Sequence, residues 1–324
     1  MRKALLALAT SSVLALGLAA PAQAAPPPFE DNAEKAVSEV DPTLRLSEST
    51  ELESDSSLDP SQKVKTDDVT FRGSGKVVSV LRSVGAVRKV TGDTTVGRVL
   101  QKKKVKRAKA GARDVLISST ADQYGPGLTI AAWTERTGVN YQVISRDGLD
   151  RAGLLKVVKA LPADDTKASR KARRAVESAP PARKRVESRS ASSLYVDGAG
   201  VATDDWGDEG TLCNGCSYST SNYTFMWQKV LWADNRLAAG SVDCSFGSQT
   251  ASATVNWQNW MGVSADGIVG ATTRGRADNY LSQLETESVR YAGYSQILYF
   301  TRNSSNNRYM FNGRYFGYTY TTLC

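Results

Sequence analysis

The chain contains two copies of one pattern: Asp243-Cys244-Ser245-Phe246-Gly247-Ser248-Gln249-Thr250 and, 23 positions later, Asp266-Gly267-Ile268-Val269-Gly270-Ala271-Thr272-Thr273. Both copies place an aspartate, an apolar residue, a glycine and a threonine at the same spacing. Glycine permits backbone conformations that other residues avoid in tight turns, and a threonine hydroxyl can cap the first turn of a helix. The repeat therefore predicts two successive turns, each leading into a helix.

Apolar residues at helical spacing surround the two turns. Such spacing places side chains on one face of a helix. The stripes predict three helices, marked in order by Trp227, Val230 and Leu231, by Ala253, Trp257, Trp260 and Met261, and by Ala277, Leu281 and Leu284.

This arrangement resembles the peptidoglycan-binding three-helix domain of cell-wall hydrolases. The likeness covers residues 222–284, and the chain departs from the family pattern at Cys244, which replaces a glycine, and at Trp257, which replaces a phenylalanine. The matching positions are Gln228, Leu231, Asp243, Phe246, Gly247, Thr250, Ala253, Gln258, Asp266, Gly267, Val269, Gly270 and Thr273. The resemblance implies a three-helix fold and a peptidoglycan or other cell-wall polymer as partner.

For the ligand-binding side chains, the resemblance suggests a groove lined by Gln258, Trp260, Asp266 and Arg274. Aromatic rings can stack on sugars, and polar neighbours can bond to hydroxyls and peptide amides. In the alternative interpretation, Trp260 is buried and the glycines and threonines of the pattern serve only turns and caps.

Beyond residue 284 the pattern changes to short strands at 296–301, 308–311 and 315–320. The dipeptide Asn312-Gly313 is typical of a two-residue hairpin turn. We expect a small antiparallel sheet over 285–324, whose tyrosines either pack on the helices or offer a sugar-stacking surface.

The four cysteines are Cys213, Cys216, Cys244 and Cys324. An even number in an exported protein favours two disulfides, and three connectivities are open. A four-thiolate zinc site is the alternative, because Cys213 and Cys216 have ligand spacing. Since Cys244 and Cys324 form no second close pair, we expect disulfides, with neither a metal nor another cofactor.

The first 24 residues have the pattern of a secretory signal peptide. Arg2 and Lys3 precede an apolar run that ends at the small-residue site Ala22-Gln23-Ala24. This apolar run is shorter than the roughly 20 residues of a membrane-spanning helix. The sequence therefore predicts a secreted bacterial protein that is associated with the cell wall and has no transmembrane segment.

Three further segments precede the C-terminal region of residues 201–324. Residues 25–68 are acidic and rich in Ser and Pro, and we expect them to be disordered. Residues 69–161 predict a small α/β domain, with strands at 115–117, 128–133 and 139–144 and a helix capped by Asp147 or Asp150. Residues 128–161 also resemble domains of exported sigma-factor regulators. An exported protein is a candidate partner for this N-terminal domain.

Residues 162–200 are a basic linker, interpreted as a solvated joint, a contact to anionic polymer or a protease-sensitive site. The basic run Lys102–Arg107 has no interleaved aromatic residues, so nucleic acid is not expected as a partner. An anionic polymer or a phospholipid surface would fit it better, and a solvated face is the default.

The chain has no histidine. This excludes Ser-His-Asp triads, Cys-His pairs and the common histidine-liganded zinc centres. We therefore expect a non-catalytic, exported peptidoglycan-binding protein. The alternatives are a glycan hydrolase that uses two carboxylates from Asp204, Asp205, Asp208 and Glu209, and a regulatory protein anchored to the wall by its C-terminal domain.

The predicted fold class is α+β and multidomain. It combines a small N-terminal α/β domain with a C-terminal three-helix, peptidoglycan-binding-like domain, which is followed by the small antiparallel sheet.

Overall fold

A computed structural model describes residues 28–56, 58–59, 61–87, 89–90, 105–120, 127–164, 167–178, 194–198, 202, 205–284, 287–303 and 305–324. The predicted signal peptide and Asp204 lie outside these ranges. No helix among the described residues is long and apolar enough to cross a membrane.

The helices and strands follow one another in two blocks along the chain. The first block consists of α1 (Pro28–Ser38), β1 (Arg45–Asp55), β2 (Lys63–Gly73), β3 (Lys76–Gly85), β4 (Lys106–Ala110), β5 (Arg113–Ser119), β6 (Leu128–Arg136), β7 (Val139–Arg146), α2 (Arg151–Ala160) and α3 (Lys167–Ser178). The second consists of α4 (Asn222–Ala233), a 3-10 turn (Ala239–Ser241), α5 (Ser248–Met261), α6 (Ala271–Asp278), β8 (Leu281–Gln283), β9 (Ser288–Ala292), β10 (Ile297–Arg302), β11 (Tyr309–Phe311) and β12 (Arg314–Tyr315).

The first sheet has seven antiparallel strands in the order β1-β2-β3-β7-β6-β5-β4. One face packs against α1 and α2 through apolar side chains such as Phe29, Trp133 and Leu154. Asp150 caps α2, because its carboxylate accepts a hydrogen bond of 2.8 Å from the Gly153 amide. The predicted strands at 115–117, 128–133 and 139–144 are confirmed as parts of β5, β6 and β7.

The expectation of disorder over residues 25–68 is wrong for the part that the structure describes. Helix α1, strand β1 and the first half of β2 lie there, and β1 pairs with β2 along its length. Exposed and half-buried side chains alternate along β1, with Glu51 and Glu53 on the exposed side. An acidic edge strand and an unstructured segment can have the same average composition. Only the alternation of side chains distinguishes them, and average composition does not report it.

The predicted fold class is also wrong. The described residues form twelve strands in two antiparallel sheets together with six helices, and strands rather than a three-helix domain dominate the C-terminal region. Helix α6 ends at Asp278, so Leu281 lies in strand β8 and Leu284 follows it. The apolar residues of α4 and α5 are buried together with side chains of the second sheet, whose order is β12-β11-β10-β9-β8. The core around these helices therefore includes side chains of the second sheet and is not formed by the three helices alone.

The free face of the first sheet packs against the C-terminal region. Leu81, Ile130 and Ile144 of the first sheet share one core with Trp206 and Phe300. The chain thus forms three layers: α1 with α2, the first sheet, and the C-terminal helices with the second sheet. The domain boundaries predicted after residues 68, 161 and 200 stay predictions.

Two buried ion pairs cross this contact. Arg290 Nε on β9 lies 2.7 Å from Asp68 Oδ2 on β2, and the Tyr299 hydroxyl donates to the same oxygen at 2.6 Å. Arg146 Nη1 on β7 lies 2.8 Å from Asp234 Oδ1, which follows α4. The side chains of both pairs are almost completely buried. Each carboxylate therefore neutralises a guanidinium that water cannot reach.

Replacing one member of a pair tests this contact. We expect Arg290→Met to lower the free energy of unfolding by about 3–5 kcal/mol, because Asp68 would be left buried without its counter-charge. Urea denaturation measures the loss. The control is Lys65→Met at the exposed Lys65–Glu51 pair, which should leave stability almost unchanged. An equally small effect of Arg290→Met would contradict the assignment, and Arg290→Met with Asp68→Leu should recover much of the loss.

Candidate functional site

In the first copy of the repeated pattern, one glutamine holds the turn. Gln228 on α4 donates from Nε2 to Asp243 Oδ1 at 2.8 Å and to Thr250 Oγ1 at 3.0 Å. Its Oε1 accepts from the Cys244 amide at 2.9 Å. The polar residues of the pattern are thus bonded to one another across the turn.

The second copy repeats this network. Gln258 on α5 donates from Nε2 to Asp266 Oδ1 at 2.9 Å and to Thr273 Oγ1 at 3.0 Å. Its Oε1 accepts from the Gly267 amide at 2.9 Å. Gly267 has a φ of 73°, the left-handed conformation that glycine tolerates. Each helix therefore presents a glutamine that fixes the next turn, which explains why the sequence repeats.

Two disulfides settle the connectivity that the sequence left open. Cys213 pairs with Cys216, and Cys244 pairs with Cys324. Cys244 has a φ of 64°, so it adopts at the first turn the conformation that Gly267 adopts at the second. All four thiols are used in these bonds and cannot form the alternative zinc site. Within the described part of the chain, no group of three or more Cys, Asp or Glu side chains is arranged to hold a metal.

The four predicted ligand residues are not brought together into one groove. Gln258 is fully buried in the network described above, and exposed Asp266 bonds to it and to the Ile268 amide. Arg274 is buried and donates to the carbonyl oxygens of Trp206 and Val269 at 2.8 and 2.6 Å. Whether any of these side chains contacts a ligand stays a prediction, but Gln258 and Arg274 already have partners within the protein.

Trp260 lies elsewhere, half-buried among cationic and aromatic side chains. The guanidinium carbons of Arg146 and Arg236 lie 5.0 and 4.4 Å from its ring centroid. Tyr294 meets it edge-on at 5.6 Å. Because Trp260 is two residues from Gln258 on one helix, the two side chains point in nearly opposite directions.

A different surface is formed where residues 194–198 join the second sheet. This segment bonds on one side to residues 316–318 and on the other to residues 307–309. Alternation along the segment buries Val196 completely and leaves Tyr195 and Asp197 partly exposed. Tyr195 is thereby placed among aromatic residues that come from the end of the chain.

We call this group the tyrosine surface: Tyr195, Arg308, Tyr315 and Tyr320, all partly exposed. The Tyr195 ring lies 5.6 Å from that of Tyr315 and 6.2 Å from that of Tyr320. The guanidinium carbon of Arg308 lies 4.1 Å from the centroid of Tyr195. The surface combines three phenol rings with one positive charge.

Neighbouring groups fix these rings. Asn306 Nδ2 donates to the Tyr315 hydroxyl at 3.2 Å, and the Tyr320 hydroxyl donates to the Tyr315 carbonyl at 3.3 Å. The Tyr320 ring lies so close to the backbone of Gly317 that a Cβ there would come within 2.3 Å of it. Partial burial and Tyr195 raise the pKa of Tyr320 above its usual value. Its hydroxyl is therefore neutral at physiological pH.

The half-buried acid Glu209 is bonded to the segment that carries Tyr195. Glu209 Oε1 accepts from the Asp197 amide at 2.8 Å, and its Oε2 accepts from the Tyr318 hydroxyl. Burial raises the pKa of Glu209 to about 9, and the charges of Asp197 and Asp208 act in the same direction. The side chain is therefore protonated at neutral pH. Asp197 Oδ2 is buried and has no hydrogen-bond partner in the described structure.

The other predicted carboxylates have different surroundings. Asp205 is buried, where it accepts from the Tyr309 hydroxyl at 2.7 Å and lies 3.2 Å from Arg302 Nε. Asp208 is exposed. Sequence reasoning missed Tyr195 because it lies in the predicted linker. The short run Leu194-Tyr195-Val196 was the only local sign of a strand there.

No protein-family model, curated protein or solved structure matches the chain. Its function is therefore inferred from the geometry and chemistry of these residues.

The raised pKa of Glu209 predicts a pH-dependent stability. The usual value is 4.5, so between pH 4.5 and about 9 the folded chain holds a proton that the unfolded chain releases. Folding is therefore penalised increasingly as pH rises through this window. We expect Glu209→Gln, which imitates the neutral acid, to gain stability relative to the original chain from pH 5 to pH 8. Urea denaturation at both pH values measures the difference.

The control for this experiment is Glu53→Gln, which removes an exposed carboxylate from β1. Suppose that Glu209→Gln changes the free energy of unfolding by the same amount at pH 5 and at pH 8. This result would show that the pKa of Glu209 is not raised.

Proposed function

We propose that this is an exported, non-catalytic protein that binds peptidoglycan through the tyrosine surface. The observation that carries the proposal is the set of three partly exposed phenol rings fixed around Arg308. Phenol rings offer flat apolar faces to sugar rings, while their hydroxyls bond to polar groups. The guanidinium can bond to carboxylates, which peptidoglycan carries on its sugars and stem peptides.

The rigid segments that carry the three tyrosine rings favour binding rather than catalysis. The rings belong to segments that are bonded to the second sheet, so little conformational entropy would be lost when a ligand binds. The two disulfides and the signal-peptide pattern fit an exported protein. The resemblance over residues 222–284 favours a wall polymer as partner, although its own polar residues are used by the turns.

A second candidate function is glycan hydrolysis by two carboxyl groups. It is favoured by one observation, namely that Glu209 is protonated at neutral pH while Asp197 lies beside it with an unpaired oxygen. A protonated acid and a nearby carboxylate are what glycosidases use. Against it, both oxygens of Glu209 already accept hydrogen bonds from the protein. We therefore place binding first.

Binding is tested with purified sacculi from which anionic polymers have been removed. We expect Tyr195→Ala and Tyr315→Ala each to weaken binding of the purified protein about tenfold, which corresponds to about 1.4 kcal/mol. Removing either ring takes away part of the stacking area. Sedimentation with increasing amounts of sacculi gives the apparent Kd.

The matched control is Tyr294→Ala, because Tyr294 is also exposed, at 37%, but lies next to Trp260. It should bind like the original chain. Equal binding by all variants would overturn the proposed surface, and no binding by the original chain would overturn the function. Thermal unfolding of each variant shows that any loss of binding is not loss of structure.

The second candidate is tested by release of dye from labelled sacculi. If the protein is a binder, neither the original chain nor Glu209→Gln releases dye above the buffer control. Release by the original chain that Glu209→Gln abolishes and Asp208→Asn keeps would instead establish hydrolysis.

A further inference from the structure

A surface with several charged side chains lies on the first sheet, and its residues are distant in sequence from those of the tyrosine surface. Two adjoining cavities of about 480 and 290 Å³ lie there and share Lys89, Thr134 and Glu135 in their linings. Arg107 and Arg113 line the larger cavity, and Val176 of α3 lines the smaller one. Together they form a continuous depression, which we call the basic groove.

The acidic side chains of the basic groove are neutralised within the protein. Glu135 forms a two-point pair with Arg113 at 2.6 and 3.1 Å, and accepts from Trp133 Nε1 at 2.8 Å. Asp114 lies 2.7 Å from Lys109. Lys89 and Arg107 are exposed and form no ion pair with any described residue. The groove therefore carries two positive charges that are available to a ligand.

Helix α3 extends this charge. Ala172 packs against Gly138 at the end of the first sheet, which turns the opposite side of the helix to solvent. Lys171, Arg173 and Arg174 are exposed, and Arg173 pairs with Glu177 at 2.8 Å. These exposed cations lie on the helix that contributes Val176 to the basic groove.

We propose that the basic groove binds a linear polymer of alditol phosphates, in which phosphodiester groups recur at regular spacing. Separate cations along a depression suit such a polymer, because each can contact one phosphate. No aromatic side chain is among the described residues that line either cavity, so the bases of a nucleic acid would find no ring there to stack on. A flat bilayer surface would not enter a depression, whereas a single polymer chain can. This proposal is independent of the peptidoglycan proposal.

The test measures binding of the purified full chain to poly(glycerol phosphate) by fluorescence anisotropy at several salt concentrations. We expect Lys89→Gln with Arg107→Gln to weaken binding about tenfold at low salt. The slope of log Kd against log salt should fall by about 2, one for each lost phosphate contact. The charge-preserving pair Lys89→Arg and Arg107→Lys should keep binding, which separates loss of charge from damage to the fold.

The matched control is Lys35→Gln with Arg151→Gln, which removes the same charge from α1 and α2 at exposed positions that line neither cavity. It should bind almost as the original chain does. If both double variants weaken binding equally, only net charge matters and the proposed site is wrong. The proposal is also overturned if the original chain ignores the polymer, or binds single-stranded DNA or vesicles containing phosphatidylglycerol more tightly. Binding to stripped sacculi should be unaffected by Lys89→Gln with Arg107→Gln, so a failure of this proposal would leave the proposed role of the tyrosine surface intact.

Discussion

The structure depends on charges that are neutralised between the first sheet and the C-terminal region. Arg290 and Asp68 come from opposite sides of this contact, as do Arg146 and Asp234. A buried charge without a partner costs several kcal/mol. An apolar surface therefore cannot replace the C-terminal region against the first sheet, nor the first sheet against the C-terminal region. The contact is consequently selective. It also fixes β9 and the end of α4, and through them the second sheet that carries the tyrosine surface.

The local parts of the fold could be predicted from the sequence, and the long-range parts could not. The turn after Gln258 was predictable because its aspartate, glycine and threonine lie within eight residues. The pairing of Arg290 with Asp68 joins positions 222 residues apart and leaves no local pattern. The three-helix prediction failed for the same reason, since the apolar faces of α4 and α5 do not reveal whether helices or a sheet will cover them.

The candidate site shows the same limit. Gln258 and Arg274 are polar residues in a pattern that resembles a binding domain, but burial decides whether such residues face a ligand or the protein, and sequence does not report burial. From the sequence, the tyrosines after residue 300 could either pack on the helices or form a surface for stacking on sugars. In the structure both alternatives occur: Tyr309 is completely buried, while Tyr315 and Tyr320 remain partly exposed. Tyr195, which joins them, came from a segment whose composition indicated only a linker.

The Cys244–Cys324 bond has a consequence for the order in which the protein is completed. The bond fixes the first turn of the repeat, yet its second sulfur lies 80 positions later, beyond the entire second sheet. The second turn, held by Gly267 and Gln258, needs no covalent bond and can close as soon as its own helices are present. In a chain that emerges from its N-terminus, the first turn of the repeat is therefore synthesised first but receives its disulfide last. Cys244 can be oxidised to Cys324 only after the second sheet has emerged.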